Sequence, residues 1–255
     1  MSDGLPSSAL TRRGLIVGAG GALLAGCDRI GASAVAKKTF KGAESLTMGA
    51  QRLITDRAAL APEFGAGDIS PVFRSNGNAM PGSPDYARLL ADDFRDWRLE
   101  VTGLVAQPQF LSLDDLQAMP RRTQTTRHDC VEGWSAIGRW TGVPLRFVLA
   151  RAGLRPSTRY IVFHCYDSFG GAPYYESIDM VDALHPQTIL AWGLNGHRLP
   201  VPNGAPLRLR VERQLGYKHA KFLRAVEAVA SLDGIGRGGG GTWEDVGDYA
   251  WYAGI

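Results

Sequence analysis

The sequence predicts a mixed α+β domain that is rich in β-strands, and three observations lead to this fold class. The 32 glycines and 14 prolines stand mainly beyond residue 60, between short apolar runs, as residues of turns between strands do. Several short segments alternate apolar and polar residues, the pattern of a strand with one buried face. With 255 residues, 45% of them hydrophobic, the chain can bury a full core. We expect one large domain over residues 71–255.

The first 26 residues are predicted to be an export signal. Arg12 and Arg13 precede a mild apolar run, residues 15–25, which is shorter than the roughly 20 apolar residues of a membrane-spanning helix. Paired arginines before a weakly hydrophobic stretch resemble a twin-arginine signal, the export route for proteins that fold before transport. The sequence therefore predicts a periplasmic protein that acquires a cofactor before export.

The segment that follows is predicted to tether the protein to a membrane. Residues 24–27 read LAGC, which resembles a lipobox, where the cysteine is acylated and becomes the mature N-terminus. Asp28 follows Cys27, and an aspartate in this place resembles a signal for retention at the inner membrane. Residues 1–26 are thus a lipoprotein-type signal, and residues 27–70 are a tether and N-terminal arm.

The predicted elements before the middle of the chain are short. Residues 43–60 space apolar side chains as a helix does. Residues 97–101 alternate and predict a strand that Gly103 ends. Ser112 is a suitable N-cap for a short helix over residues 112–116.

Helix and strand signals continue in the second half. Residues 145–152 predict a helix ended by Gly153. Residues 160–165 are apolar, β-branched and aromatic, as expected of a buried strand. Residues 207–211 alternate and place two arginines on one face. The glycine-rich residues 234–241 lack the frame of a phosphate-binding loop and predict a flexible loop.

The charge of the chain indicates no particular partner. The 28 basic and 25 acidic residues leave a net charge of +3, without a block of like charge. Neither nucleic acid nor an anionic membrane surface is therefore predicted as a partner.

Three interpretations compete for the cysteines other than Cys27, which are Cys130 and Cys165. An oxidising compartment permits a disulfide between them. A zinc or copper site would use these thiols with His128 and His164. Because His164 and Cys165 are adjacent on a predicted strand, their side chains point to opposite faces, which argues against one shared metal.

The third interpretation comes from the residues around Cys130. Residues 126–134 read TRHDCVEGW, and residues 140–145 read WTGVPL. This text resembles the molybdenum-ligating loop of the sulfite oxidase superfamily, in particular its bacterial periplasmic branch, which includes methionine sulfoxide reductase catalytic subunits. Three later segments resemble the same family in the same order: HPQT at 185–188, NGAPLR at 203–208 and GYKHAK at 216–221.

The resemblance implies a molybdopterin cofactor in a sulfite-oxidase-type domain. The Cys130 thiolate would be the only protein ligand of the molybdenum, because a soft, deprotonated sulfur suits a metal that changes oxidation state. Cys165 departs from the methionine sulfoxide reductase pattern, and it is expected to face the cofactor or to lie buried in its strand. The residues expected to contact the cofactor are Asn76, Cys165, Asn203, Arg208, His219, Ala220 and Lys221.

The function implied by the resemblance is a two-electron oxygen-atom transfer on a small sulfur compound. The reaction would be either sulfite oxidation or the reduction of an S-oxide or N-oxide. Because the sequence has no haem-binding CxxCH motif, we expect a separate electron-transfer partner, a c-type cytochrome or a haem-bearing membrane subunit. We expect the protein to be a monomer. The alternative is a non-enzymatic exported lipoprotein, a binding module with a Cys130–Cys165 disulfide.

Overall fold

The computed structural model describes residues 33–255. The described chain divides into two units, with the boundary between Ala50 and Gln51. The predicted signal and Cys27 lie outside the described residues. The first described element is helix α1, Ala34–Ile54. It begins before the predicted helix over residues 43–60 because alanine and lysine residues before Ala43 also favour helix. It also ends before residue 60. No helix within residues 33–255 is long and apolar enough to cross a membrane.

The remaining helices are short and connect or flank strands. They are α2 Pro84–Ala91, α3 Leu113–Gln117, α4 Leu145–Ala152, α5 Met180–Ala183 and α6 Thr242–Val246. Three single 3₁₀ turns cover Ala66–Asp68, Val201–Asn203 and Gly216–Lys218. The last two turns overlap the segments that resemble the cofactor-binding motifs of the sulfite oxidase superfamily.

Two helix ends follow their sequence signals closely. The Ser112 hydroxyl accepts a hydrogen bond from the Asp115 backbone N–H, and the Asp115 carboxylate accepts one from the Ser112 backbone N–H, which is a capping box. Helix α4 ends at Gly153, whose φ of +69° is the left-handed conformation that favours glycine. Both predicted helices are confirmed.

The first sheet has five strands in the order β2-β1-β10-β5-β6. Its strands are β1 Leu99–Gly103, β2 Gln109–Leu111, β5 Tyr160–Phe169, β6 Ala172–Asp179 and β10 Leu223–Val229. Strand β1 pairs with β10 in parallel, and the other pairs are antiparallel. The first strand therefore lies beside the last one, although more than a hundred residues separate them.

The second sheet has the order β3-β4-β7-β8, and β9 also pairs with β7. Its strands are β3 Arg122–Cys130, β4 Trp134–Pro144, β7 Ile189–Leu194, β8 His197–Arg198 and β9 Arg208–Arg210. Strands β3 and β4 form a regular hairpin that ends with Cys130 opposite Trp134. Arg208 and Arg210 on β9 are both fully buried, which is unusual for arginine.

One large core cluster joins the two sheets. Leu99 and Phe163 come from the first sheet, Val143 and Leu190 come from the second, and Leu149 on α4 packs against them. A smaller cluster forms around Trp140 in the second sheet. The predicted β-rich, mixed α+β fold is confirmed, and its two sheets carry the site described next.

Candidate active site

A cavity of about 240 Å³ opens beside the β3–β4 turn. Its walls come from five separate parts of the chain, including both sheets. The lining residues are Asn76, Gly77, Asn78, Cys130, Val131, Glu132, Asp167, Phe169, Tyr174, Tyr217, His219, Lys221, Trp243 and Tyr249. Four of the predicted site residues are thus brought together here, Asn76, Cys130, His219 and Lys221.

The Cys130 thiol lies at this cavity because β3 ends there. Its residue is 9% exposed, and burial raises its pKa while the nearby Arg208 guanidinium lowers it. Cys165 is buried in the main core cluster instead and is not among the residues that line the cavity. Both thiols are free and lie on different sheets, so the disulfide of the alternative interpretation is not formed.

Lys221 fixes the loop that covers one side of the cavity. Its ammonium donates to the carbonyl oxygens of Asn78 and Pro202 and to the hydroxyl of Ser75. Burial lowers the pKa of Lys221 to about 7. The predicted phosphate contact of Lys221 stays a prediction, but the structure shows that this lysine also holds residues 75–78 in place.

Two buried histidines, His128 and His219, pack with their imidazole rings edge to face and the ring centroids 5.0 Å apart. Arg210 Nη1 donates to Nδ1 of His128 at 2.8 Å, so the proton of a neutral His128 resides on Nε2. Nε2 of His219 lies 3.0 Å from the carbonyl oxygen of Gln214 and donates to it, which leaves Nδ1 of His219 as an acceptor. Burial lowers the pKa of both imidazoles well below the usual value. The pair therefore presents one fixed donor and one fixed acceptor.

Arg208 and Asn203 are buried and are not among the residues that line the cavity. Arg208 Nη1 donates to the carbonyl oxygen of Asn203 at 2.9 Å, and Nη2 donates to that of His219 at 3.3 Å. Ala220 lies in the main core cluster, and its carbonyl oxygen accepts from Leu209. The structure places these predicted contacts in one connected layer, and their roles toward the cofactor remain predictions.

The donor and acceptor atoms of this region fit a large polar cofactor. Native proteins leave few buried polar atoms without a partner. In the described part of the chain such atoms include Asn76 Oδ1, His128 Nε2, Asn203 Nδ2, Arg208 Nε and His219 Nδ1. These five atoms belong to residues or segments predicted to surround the cofactor, beside buried cationic groups that suit a phosphate. Other such atoms, including Glu176 Oε2 and Glu244 Oε2, lie outside those segments. A bound molybdopterin would supply the missing partners.

Gly216 lies where the GYKHAK segment, residues 216–221, packs against His128 of the TRHDCVEGW segment, residues 126–134, and a larger residue does not fit there. A Cβ atom at this position would lie 2.5 Å from Nε2 of His128, far inside van der Waals contact. The glycine of the GYKHAK segment therefore leaves room for the imidazole next to Cys130.

The first lysine of that segment has a structural role. Lys218 is fully buried, and its ammonium forms ion pairs with Glu176 and Glu244. These three side chains, the Lys218 triad, connect the 3₁₀ turn, β6 and α6. Burial and the neighbouring Glu244 carboxylate raise the pKa of Glu176 well above its usual value. Lys218 is therefore not free to bind a phosphate.

Sequence reasoning missed the side of the cavity formed by four aromatic residues, the aromatic wall: Phe169, Tyr217, Trp243 and Tyr249. The Phe169 and Trp243 rings are 4.5 Å apart, Tyr217 and Tyr249 are 5.0 Å apart, and Trp243 stacks on Tyr249 at 5.6 Å. Their place at the cavity depends on long-range packing.

Two carboxyl groups at the cavity were also missed. Glu132 is exposed, and its Oε2 accepts from the Trp134 indole at 2.9 Å. Asp167 on β5 is only 6% exposed. Residues 33–255 contain no group of three or more histidine, cysteine or acidic side chains that could hold a metal ion by themselves.

Comparison with known protein families gives a match over most of the domain. The family model for the oxidoreductase molybdopterin binding domain matches residues 87–232. A solved structure, the sulfane dehydrogenase SoxCD from Paracoccus pantotrophus, aligns with a TM-score of 0.49 and 25% identity over 54% of this chain and 39% of that chain.

Curated relatives carry names from the same branch. A putative protein-methionine-sulfoxide reductase subunit YedZ1 from Azospira oryzae is 41% identical over 204 residues, which are 80% of this chain and 71% of the relative. The protein-methionine-sulfoxide reductase catalytic subunit MsrP from Xanthomonas campestris is 37% identical over 148 residues, 53% of this chain. The chain spans 46% of the length of that relative, and 44% of the MsrP from Ralstonia nicotianae.

Proposed function

The chain belongs to the family of oxidoreductase molybdopterin-binding domains, and from that membership we propose that it is an S-oxide reductase with Cys130 as the protein ligand of the molybdenum. The observation that carries the proposal is the position of Cys130. Of the two cysteines in residues 33–255, it alone lines the cavity, next to buried polar atoms that lack partners.

The residues of this chain would hold and orient the cofactor. When bound, the cofactor supplies the two-electron redox centre, a molybdenum ion held by pterin dithiolene sulfurs. Asn76 and Asn203 would bond polar edges of the pterin, and Arg208 with Lys221 would bind its phosphate. His128 would donate from Nε2, and His219 would accept at Nδ1. A metal at Cys130 would deprotonate the thiol outright, which overcomes its raised pKa.

The charges of the cavity favour an S-oxide over sulfite. Sulfite is an anion at neutral pH, and the Glu132 and Asp167 carboxyl groups both line the space that it would enter. The Lys221 ammonium is bonded to oxygen atoms of the protein and is assigned above to the cofactor phosphate, so it would not balance the charge of a second anion. Like charges in a partly desolvated site repel, so a neutral substrate is accommodated at lower cost.

The aromatic wall supports a thioether-derived substrate. Sulfur beside an aromatic ring gains about 0.3–1.5 kcal/mol, and four rings offer such contacts in this cavity. The MsrP and YedZ1 relatives are named for the reduction of methionine sulfoxide in proteins. We therefore propose methionine sulfoxide, free or within a polypeptide, as the substrate.

The proposal includes a separate electron donor and an exported location. The relatives are named as subunits, which supports a partner that carries electrons, either a c-type cytochrome or a haem-bearing membrane subunit. The twin-arginine text and the lipobox at Cys27 support a periplasmic protein tethered to the inner membrane. Reduction of methionine sulfoxide at full rate with a small cellular reductant and no partner protein would argue against such a partner.

Elemental analysis and a substrate screen test the function. We expect about one molybdenum per chain and reduction of methionine sulfoxide by a reduced viologen dye, with sulfite oxidised at least 100-fold less efficiently. Cys130→Ser should abolish turnover but leave a folded protein, whereas Cys165→Ser is the matched control and should keep both metal and activity. Full activity of Cys130→Ser, or sulfite as the preferred substrate, would refute the proposal.

A further inference from the structure

Asp167 is a buried carboxyl group in the cavity for which the proposed function has no role so far. It lies near the end of β5 and is 6% exposed. Its Oδ2 accepts a hydrogen bond from Nδ2 of Asn78 at 3.1 Å, and its Oδ1 has no partner. A half-bonded buried carboxyl group is costly to keep unless it acts on a ligand.

The two carboxyl groups of the cavity differ in their surroundings. Glu132 is exposed and its Oε2 is bonded to the Trp134 indole, so its charge is solvated. Asp167 is enclosed by protein, and burial raises its pKa to about 6. An enclosed environment of this kind keeps a carboxylic acid partly protonated near neutral pH.

The groups around Asp167 do not reverse this effect. The Lys221 cation and the Asn78 amide favour the ionised form, but Lys221 is bonded to three other oxygen atoms. The other titratable groups near it are Tyr86, Tyr174 and Cys165, all of which are neutral acids whose own pKa values the Asp167 charge raises. His219 and Glu132 line the same cavity.

We propose that Asp167 donates a proton to the oxygen atom that leaves the substrate sulfur. This inference rests on the proposed S-oxide reduction. One turnover consumes two electrons, supplied by the reductant, and two protons: the sulfur–oxygen bond breaks, and the oxygen departs as water. Asp167 gives one of these protons, so its O–H bond breaks as an O–H bond of the water forms. Solvent supplies the second proton and later reprotonates Asp167.

The position of Asp167 suits this task better than that of any solvated acid. It lines the same cavity as Cys130, on the opposite sheet, so a substrate between them meets the metal site and the acid together. The aromatic wall flanks it through Phe169 on the same strand. A positioned acid whose pKa is near the working pH contributes about 10²–10⁴-fold to such a step.

The test compares Asp167→Asn, Asp167→Glu and the control Asp85→Asn, whose carboxylate side chain is 78% exposed. The kcat/KM for methionine sulfoxide is measured with reduced viologen from pH 5 to 9, together with molybdenum content. In the wild type we expect kcat/KM to fall tenfold per pH unit above about pH 6. At pH 6 the kcat/KM of Asp167→Asn should be about 10²–10⁴-fold lower than that of the wild type, and its fall with rising pH, the pH limb, should be absent. Asp167→Glu should recover the pH limb, and Asp85→Asn should match the wild type.

A second measurement does not depend on turnover. Infrared spectra of protein with isotope-labelled aspartate should show a protonated carboxyl band that disappears through about pH 6 and is missing in Asp167→Asn. An active wild type whose pH limb persists in Asp167→Asn, or a band that is already absent at pH 5, overturns the role of Asp167 alone. A molybdenum-loaded wild type that reduces no S-oxide refutes the proposed function itself.

Discussion

Removal of the ammonium group of Lys218 should destabilise the protein by about 3–5 kcal/mol, the usual cost of leaving a buried charge without its partner. The structure supports the upper part of this range. The side chains of Lys218 and Glu176 are fully buried, and that of Glu244 is 2% exposed. Lys218→Met would leave two carboxyl groups next to each other, each with an oxygen that already lacks a partner.

The loss of stability in Lys218→Met should depend on pH, and the burial of Glu176 determines the direction. The folded-state pKa of Glu176 is raised, and without the lysine it rises further. The folded protein then binds more protons than the unfolded chain between the two pKa values, so stability falls as pH rises. Lys218→Met should therefore lose less stability at pH 5 than at pH 7.

Urea unfolding followed by tryptophan fluorescence measures this difference. The triple variant Lys218→Met, Glu176→Gln, Glu244→Gln removes all three charges and should recover most of the loss, because neutral replacements of a buried ionic group are often tolerated. Arg224→Met at an exposed position is the control and should change stability by no more than about 0.5 kcal/mol. A loss for Lys218→Met below about 1 kcal/mol at pH 7, or one equal at pH 5 and pH 7, would refute a structural role for the triad.

Two further predictions concern the cofactor and the membrane. Gly216→Ala should lower the molybdenum content of the purified protein at least tenfold, because the added methyl group displaces His128; Gly234→Ala, where a Cβ meets nothing within 4 Å, is the control, and equal metal content in both would contradict the steric argument. Cys27→Ala should move the protein from the membrane fraction to the soluble periplasm, and a wild type already found in the soluble fraction would contradict lipid tethering.

The sequence predicted local structure well because local signals determined it. The N-cap Ser112 and the C-terminal Gly153 marked helix ends that the structure shows at the same places. Strand β1 begins two residues later than predicted, since the alternation extends to Trp97, which is buried outside the strand. The parallel pairing of β1 with β10 could not be predicted, because no local signal connects segments so far apart.

The residues of the candidate site were likewise predicted where a local motif marks them and missed where long-range packing brings them together. Cys130, His219 and Lys221 were predicted from contiguous sequence motifs, and the structure places all three at the cavity. Asp167 and Trp243 were missed because each is an ordinary residue in its own segment, and only the order of the strands and the docking of α6 bring them to Cys130. The role of Lys218 was hidden for a related reason, since Glu176 and Glu244 come from distant elements.

Because Cys130 belongs to one sheet and Asp167 to the other, the gap between them is set by the thickness of the apolar layer that separates the sheets. Val143, Phe163 and Leu190 belong to that layer and do not line the cavity, but their volumes would help to set the spacing of the sheets. Enlarging or trimming such a spacer would tune the reach of the acid toward the substrate while every residue of the cavity stayed the same. Reaction rate in this fold can therefore change through substitutions that lie entirely within the hydrophobic interior.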